Sequence, residues 1–198
     1  MILHDYDIII TKETDIMIKN MKDAEREAAF RVADAMCAAA HTAPKANGLD
    51  KIRTLIISGD DIEPLAMEME LAGKEYDLDF FCRDADNIRN SHCVVLIAAM
   101  GTASGVPHCG MCGFENCAEM SKADACCSFS ATDLGIAIGS AVALAADNRI
   151  DNRVMYSIGR SALRLKLFAD NVKLCYGIPL STSAKSNYFD RAPGSVLL

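Results

Sequence analysis

Five of the nine cysteines lie between Cys109 and Cys127, and that clustering restricts the fold more than any other feature of the chain. The string reads His108-Cys109-Gly110-Met111-Cys112-Gly113-Phe114-Glu115-Asn116-Cys117, a C-x2-C-x4-C spacing, and the contiguous pair Cys126-Cys127 follows it. The whole set spans one short loop and helix. Gly110 and Gly113, each directly after a cysteine, let the backbone there curl.

Nine cysteines without an export signal argue against a disulfide scaffold, because cytosolic thiols are kept reduced. A metal, a cluster or a reactive thiol remains. An iron–sulfur cubane needs four thiolates converging from several directions, with backbone amides donating to the cluster sulfides. The spacing assigns Cys109, Cys112, Cys117 and Cys127 to one 4Fe-4S cluster. Only one of two adjacent cysteines normally points at a given centre, so Cys126 is the alternative to Cys127, which opens the sequence Cys-Ser-Phe leading into the next helix. Structural zinc prefers two C-x2-C pairs about fifteen residues apart, and here the second pair is contiguous. Zinc and a redox-active thiol site stay open as alternatives. His108 is an alternative ligand or a surface histidine. Cys37, Cys82, Cys93 and Cys175 sit in apolar or regular segments, where free cysteine behaves as a small buried hydrophobe.

The flanking segments alternate helix and strand patterns. Met17, Met21, Ala24, Ala28, Val32, Ala35 and Ala39 recur at helical spacing, predicting a long first helix that ends before Pro44. His41 to Asp50 (HTAPKANGLD) breaks helix and reads as a loop with polar reach. Ile52 to Ser58 is a β-branched strand, followed by a helix over 62–73 with Gly73 as its C′ residue. Asn87 to Asn90 reads as a short helix and Val94 to Ala98 as a buried strand. After the cysteines, Thr132-Asp133 caps an apolar, central helix running to about Ala146. An amphipathic helix over 157–169 and a strand over 171–176, ended by Gly177-Ile178-Pro179, complete the set. The mixture is an α+β or α/β layered fold, read as one unit over residues 1–198 with an inserted cysteine module at 105–130.

Charge and length exclude several classes. With 27 acidic against 20 basic residues the formal net charge is -7, and no stripe of Lys and Arg suits phosphates, so nucleic acid is not an expected partner. Met1 to Asp7 has neither a basic n-region nor an apolar h-region, which predicts a cytoplasmic protein. The longest uncharged apolar stretch, Leu134 to Ala146, falls short of the roughly 18 residues a membrane span requires.

Three resemblances extend this reading. CGMCGFENC with a further cysteine resembles the four-cysteine module of corrinoid iron–sulfur proteins and related electron-transfer proteins. HTAPKANGLD, the CGMCGFENC box, CSFSATDLGIAIGSAVALAADNRIDNR and CYGIPLSTSAKSNYFDR together resemble the "ferredoxin domain-containing" family designated DUF2148, a likeness that spans nearly all of the chain. The order of long helix, Ala43 to Asn47 loop, central helix and Gly177 to Pro179 segment is similar to the nitroreductase flavoprotein fold. That last likeness implies an α+β layered sheet with helices, a homodimer, and FMN at the subunit interface. Arg26, Lys45, Asn47 and Lys185 are the cofactor-binding residues it suggests. The chain departs from that fold's phosphate-binding Arg-x-Ser-x-Arg element, since Arg26-Glu27-Ala28 does not supply it.

Lys45 suits an anion or flavin, although a solvated lysine on a turn is commoner, and Ser181 to Ser186 with Lys185 suit a phosphate or a solvated tail equally. Asp133 suits helix capping better than a cofactor contact. Tyr188 and Phe189 near the end of the chain predict docking on a core or on a second subunit. The expected function is a 4Fe-4S redox protein acting with FMN as an oxidoreductase on a small-molecule substrate. A ferredoxin-like electron carrier that docks a redox partner protein is the alternative.

Overall fold

The computed structural model describes residues 18–168 and 171–189. The readings made above on Met1 to Asp7, Met17, Ala169 and the last residues of the chain lie outside these limits.

The first helix, α1 (Met21–Thr42), starts where the Asn20 side chain accepts a hydrogen bond from the Asp23 N–H at 2.9 Å. It ends at Ala43, which turns extended ahead of Pro44. The strand β1 (Ile52–Ser58) leads into α2 (Ile62–Tyr76) and α3 (Asp79–Arg89). Next come β2 (Cys93–Ala99), the cysteine loop with α4 (Cys117–Lys122), and α5 (Ser128–Asp147). The last elements among the described residues are β3 (Asp151–Asn152), α6 (Tyr156–Arg164) and β4 (Leu174–Ser181). The strands form one antiparallel sheet in the order β1-β2-β4-β3.

This is an α+β fold of three layers. Every residue of β2 is buried, and its side chains alternate between two cores. Cys93, Val95, Ile97 and Ala99 face α1 and α5, whereas Val94, Leu96 and Ala98 face α2, α3 and α6. A strand covered on both faces reads as a continuous apolar run, and each buried Val, Leu or Ile contributes about 1.5–3 kcal/mol.

Several boundaries differ from the sequence reading, each for a physical reason. Gly73 lies inside α2, where a Cβ would meet the Phe81 Cβ at 3.0 Å; Asp77, at φ +57°, provides the left-handed C-cap. The helix expected at Asn87 to Asn90 is α3, whose inner face carries Phe81, Asp84, Ala85 and Ile88. α5 begins at Ser128 with Cys127 as its N-cap, so Thr132 and Asp133 are interior residues, not caps. α6 stops at Arg164, short of residue 169. β4 starts at Leu174 and runs through Pro179. The nitrogen of Pro179 lies on the β3 side, between the pairs made by Ser181 and Gly177, where the ladder is interrupted, and the β2 side of the strand keeps its pairing.

α5 is not enclosed all round. Asp133, Leu134, Ala137, Ile138, Ala141 and Ala145 are buried, while Ala131, Gly135, Ile136, Gly139 and Ala143 are exposed. Its length and mean hydropathy of 1.5 suffice to cross a membrane, and it is the one such helix among the described residues. It carries a buried carboxylate and packs on α1 and the sheet, as a core helix does. Tyr188 is buried in the core cluster that α2, α3 and α6 form with the sheet, its hydroxyl 2.7 Å from Ser91 Oγ, and Phe189 lies exposed under Arg153.

Candidate metal centre

The cysteine loop leaves and rejoins the framework at one place. β2 ends at Ala99, and the Cys127 N–H donates back to the Gly101 carbonyl at 2.9 Å. Two lysines pin the loop. Lys51, 5% exposed, donates from Nζ to the carbonyls of Thr102 (2.8 Å) and Ala103 (3.0 Å) and to Ser104 Oγ (2.8 Å). Lys173 donates to the Asp124 carbonyl and carboxylate, both at 2.6 Å, and to the Ala125 carbonyl at 3.1 Å.

Between these anchors the backbone turns through left-handed conformations at Gly105, His108, Gly110 and Gly113, and the Gly113 N–H closes a turn on the Gly110 carbonyl at 2.9 Å. Asn116 caps α4 by accepting from the Ala118 and Glu119 N–H groups, each at 3.0 Å. Met120 buries the inner side of α4, and Ser128 Oγ donates to the Met111 carbonyl at 3.0 Å. The loop lines a cavity of about 580 Å3 that opens to solvent, and its wall includes Cys109, Cys112, Cys117, Cys127, Met120, Phe114 and Phe129. Cys126 is not part of that wall. Among the described residues, no three His, Cys, Asp or Glu side chains converge closely enough to hold a metal ion. The four cysteines thus share a cavity without meeting at one point.

The adjacent cysteines differ in electrostatics. Burial alone would raise the Cys127 thiol. Hydrogen bonds from the Ser104 hydroxyl and from the N–H groups of Phe129, Ser104 and Ser130 outweigh it, and the thiol lies below its ordinary range. Burial and the neighbouring Cys127 raise Cys126 against the weaker pull of Lys173 and Lys51. His108 is exposed at the rim of the cavity. Cys93 and Cys175 are buried in the two cores, and burial pushes each thiol up to about 12.

The residues suggested for a flavin fall at two ends of the molecule. Lys45 folds back on the C-terminus of α1, donating to the Ala40 carbonyl at 2.6 Å, to the Ala43 carbonyl at 2.7 Å and to the His41 carbonyl. Burial lowers its pKa, opposed by Asp50 and Asp133. Asn47, at φ +56°, donates to the Ser104 carbonyl at 2.8 Å and so ties this turn to the cysteine loop. Arg26 lies over the Phe30 ring near the start of α1 and lines a second cavity of about 510 Å3 with Arg89, Ser91 and His92. About 21 Å of helix, at about 1.5 Å per residue, separates Arg26 from Ala40. Lys185 lies just beyond β4, its carbonyl accepting from Ser183 Oγ at 2.7 Å. Asp133 accepts from the Ala46 N–H at 3.0 Å, and its other oxygen is buried with no partner among the described residues.

Lys51, Ser104 and Lys173 were not singled out by the sequence reading. A lysine at the start of a strand ordinarily marks a solvated end, and only the fold shows that its stem runs inward beneath the loop.

This layered arrangement of antiparallel sheet and helices is the nitroreductase fold. It is similar to nitroreductase CinD from Lactococcus lactis in complex with nicotinic acid, at 14% identity over 84% of this chain and 80% of that one, with a TM-score of 0.55. An oxidoreductase containing FMN is similar at 13% identity over 78% and 67% of the two chains, with a TM-score of 0.51. A protein from Archaeoglobus fulgidus is 41% identical over 185 residues, 89% of this chain and 99% of its own length. Residues 123–191 match the family described as uncharacterised proteins containing a ferredoxin domain (DUF2148), and the chain belongs to that family. The ferredoxin domain in the family's description points to a redox function.

Proposed function

We propose that the chain is an iron–sulfur redox protein, with loop 105–130 as its cluster module and Cys109, Cys112, Cys117 and Cys127 as ligands. We propose further that two copies bind FMN and act as an oxidoreductase on a small molecule. The observation that carries the cluster is the single cavity lined by those four cysteines together with Phe114, Met120 and Phe129. The donor set is all sulfur, which suits iron–sulfur centres, and the left-handed glycines give the loop freedom to draw the thiolates inward. When bound, the cluster supplies one-electron transfer. The chain's own part is to hold four thiolates, to present the amides near Gly110 and Gly113, and to limit water with the aromatic and methionine walls.

The flavin is supported by the fold and by the Ala43 to Gly48 turn beside Asp133, whose orphaned oxygen calls for a donor. Lys45 and Asn47 lie at one end of α1 and Arg26 at the other, with Lys185 just beyond the C-terminal end of β4, so a phosphate shared by Arg26 and Lys45 requires two chains. The exposed, small-residue face of α5 supports such a homodimer.

The separation of the basic residues also favours a second reading, a flavin-free electron carrier that docks a redox partner protein. One experiment distinguishes them: anaerobic purification with iron, sulfide, zinc and acid-released flavin assayed on the same sample. Iron and sulfide near about four per chain with stoichiometric FMN supports the oxidoreductase. Iron and sulfide without flavin leaves the carrier, and zinc alone overturns both.

A further inference from the structure

Lys51 is a buried ammonium without a counter-ion. Its three donors go to two carbonyls and one hydroxyl, and among the described residues no carboxylate pairs with it. Lys173, at the other end of the same loop, has the Asp124 carboxylate at 2.6 Å. Keeping a lone cation out of water is costly, so such a group is retained where a negative charge faces it.

The hydrogen-bond direction identifies where that charge lies. An ammonium has only donors, so Ser104 Oγ accepts from Lys51 at 2.8 Å. The hydroxyl hydrogen is then left to donate, and Cys127 Sγ stands 3.5 Å away. Cys126 feels the Lys51 charge but has no such hydroxyl contact among the described residues; its thiol points to the Cys127 carbonyl at 3.6 Å.

We infer that Lys51 is the built-in counter-charge of the cysteine centre and, through Ser104, positions Cys127 as a ligand. This rests on the cluster reading above. Four thiolates around an iron–sulfide core carry net negative charge, and reduction adds one more. A fixed cation behind one ligand favours the reduced state and raises the reduction potential.

The test compares anaerobically purified wild type, Lys51→Met and Ser104→Ala, reading iron and sulfide content, reduction potential by spectroscopic titration, and the rate of iron loss to a chelator. Lys51→Met is expected to keep its cluster and shift the reduction equilibrium about tenfold toward the oxidised form, about 59 mV lower for a one-electron couple. Ser104→Ala is expected to move the potential the same way by less and to lose iron several-fold faster. A wild-type potential in Lys51→Met with its cluster intact overturns the inference. If Lys51→Met does not fold, Ser104→Ala decides: unchanged potential and iron loss overturn the inference, and a lower potential with faster loss supports it. Absence of iron and sulfide from the wild type overturns the cluster reading, and this inference with it.

Discussion

Gly159 of α6 lies so close to β4 that a Cβ atom there would stand 1.9 Å from the carbonyl oxygen of Cys175. The approach is matched from the strand, where a Cβ on Gly177 would meet Ile158 at 2.1 Å. Neither clash can be relieved by a side-chain rotation alone, because at Gly159 the obstacle is backbone. Gly159→Ala is therefore expected to destabilise the protein by about 3 kcal/mol or more, read from the midpoint of chemical denaturation. Gly135→Ala, which meets nothing within 4 Å, is expected to leave the chain's stability unchanged or raise it by about 0.5–1 kcal/mol.

The buried thiols set an alkaline limit. Cys93 and Cys175 rise from an ordinary 9.0 to about 12 because burial disfavours the thiolate. A group whose pKa is raised by folding contributes stability that is complete below its unfolded value and is lost as pH climbs through the folded one. Stability is expected to decline between about pH 9 and pH 12 by this route. The double variant Cys93→Ala/Cys175→Ala should show a shallower decline in denaturation midpoint over that window. An identical slope in the two proteins would rule these thiols out as the cause.

The two adjacent cysteines separate cleanly by substitution. Cys126→Ser is expected to retain the iron and sulfide of the wild type, since its side chain is absent from the cavity wall. Cys127→Ser is expected to lose most of both. Metal analysis of the two variants side by side decides the assignment, and equal iron in both would remove Cys127 from the ligand set.

The exposed face of α5 offers a test of assembly. Ile136, 43% exposed, sits among Ala131, Gly135, Gly139 and Ala143. Ile136→Glu places a charge on that face and is expected to convert a dimer to monomer in light scattering while the thermal stability of the chain changes little. If flavin requires two chains, it should leave with the partner. A dimer that persists in Ile136→Glu would place the interface elsewhere.

How far the sequence can be read depends on what each signal encodes. Ile52 to Ser58 is legible to its ends because a β-branched run bounded by Gly59 describes a strand locally. The extension of β4 through Pro179 was hidden because it depends on which neighbouring strand that nitrogen faces, a fact of topology. Thr132-Asp133 looks like a cap in sequence, yet Cys127 already occupies that position, and Asp133 instead reaches across to Ala46. The cysteine spacing named four candidate ligands from one short string, and all four line one cavity. Lys51 stayed invisible because its role is created entirely by residues 102–104 folding over it.

The hydrogen bond from the Cys127 N–H to the Gly101 carbonyl has a consequence for how such a chain can evolve. Because the segment between them begins and ends at one latch, a longer segment adds little to the cost of closing the loop. The cysteine loop hangs from its scaffold like a charm from a clasp. Insertions and deletions between the two anchors are expected to be tolerated better than changes in the sheet and its two cores.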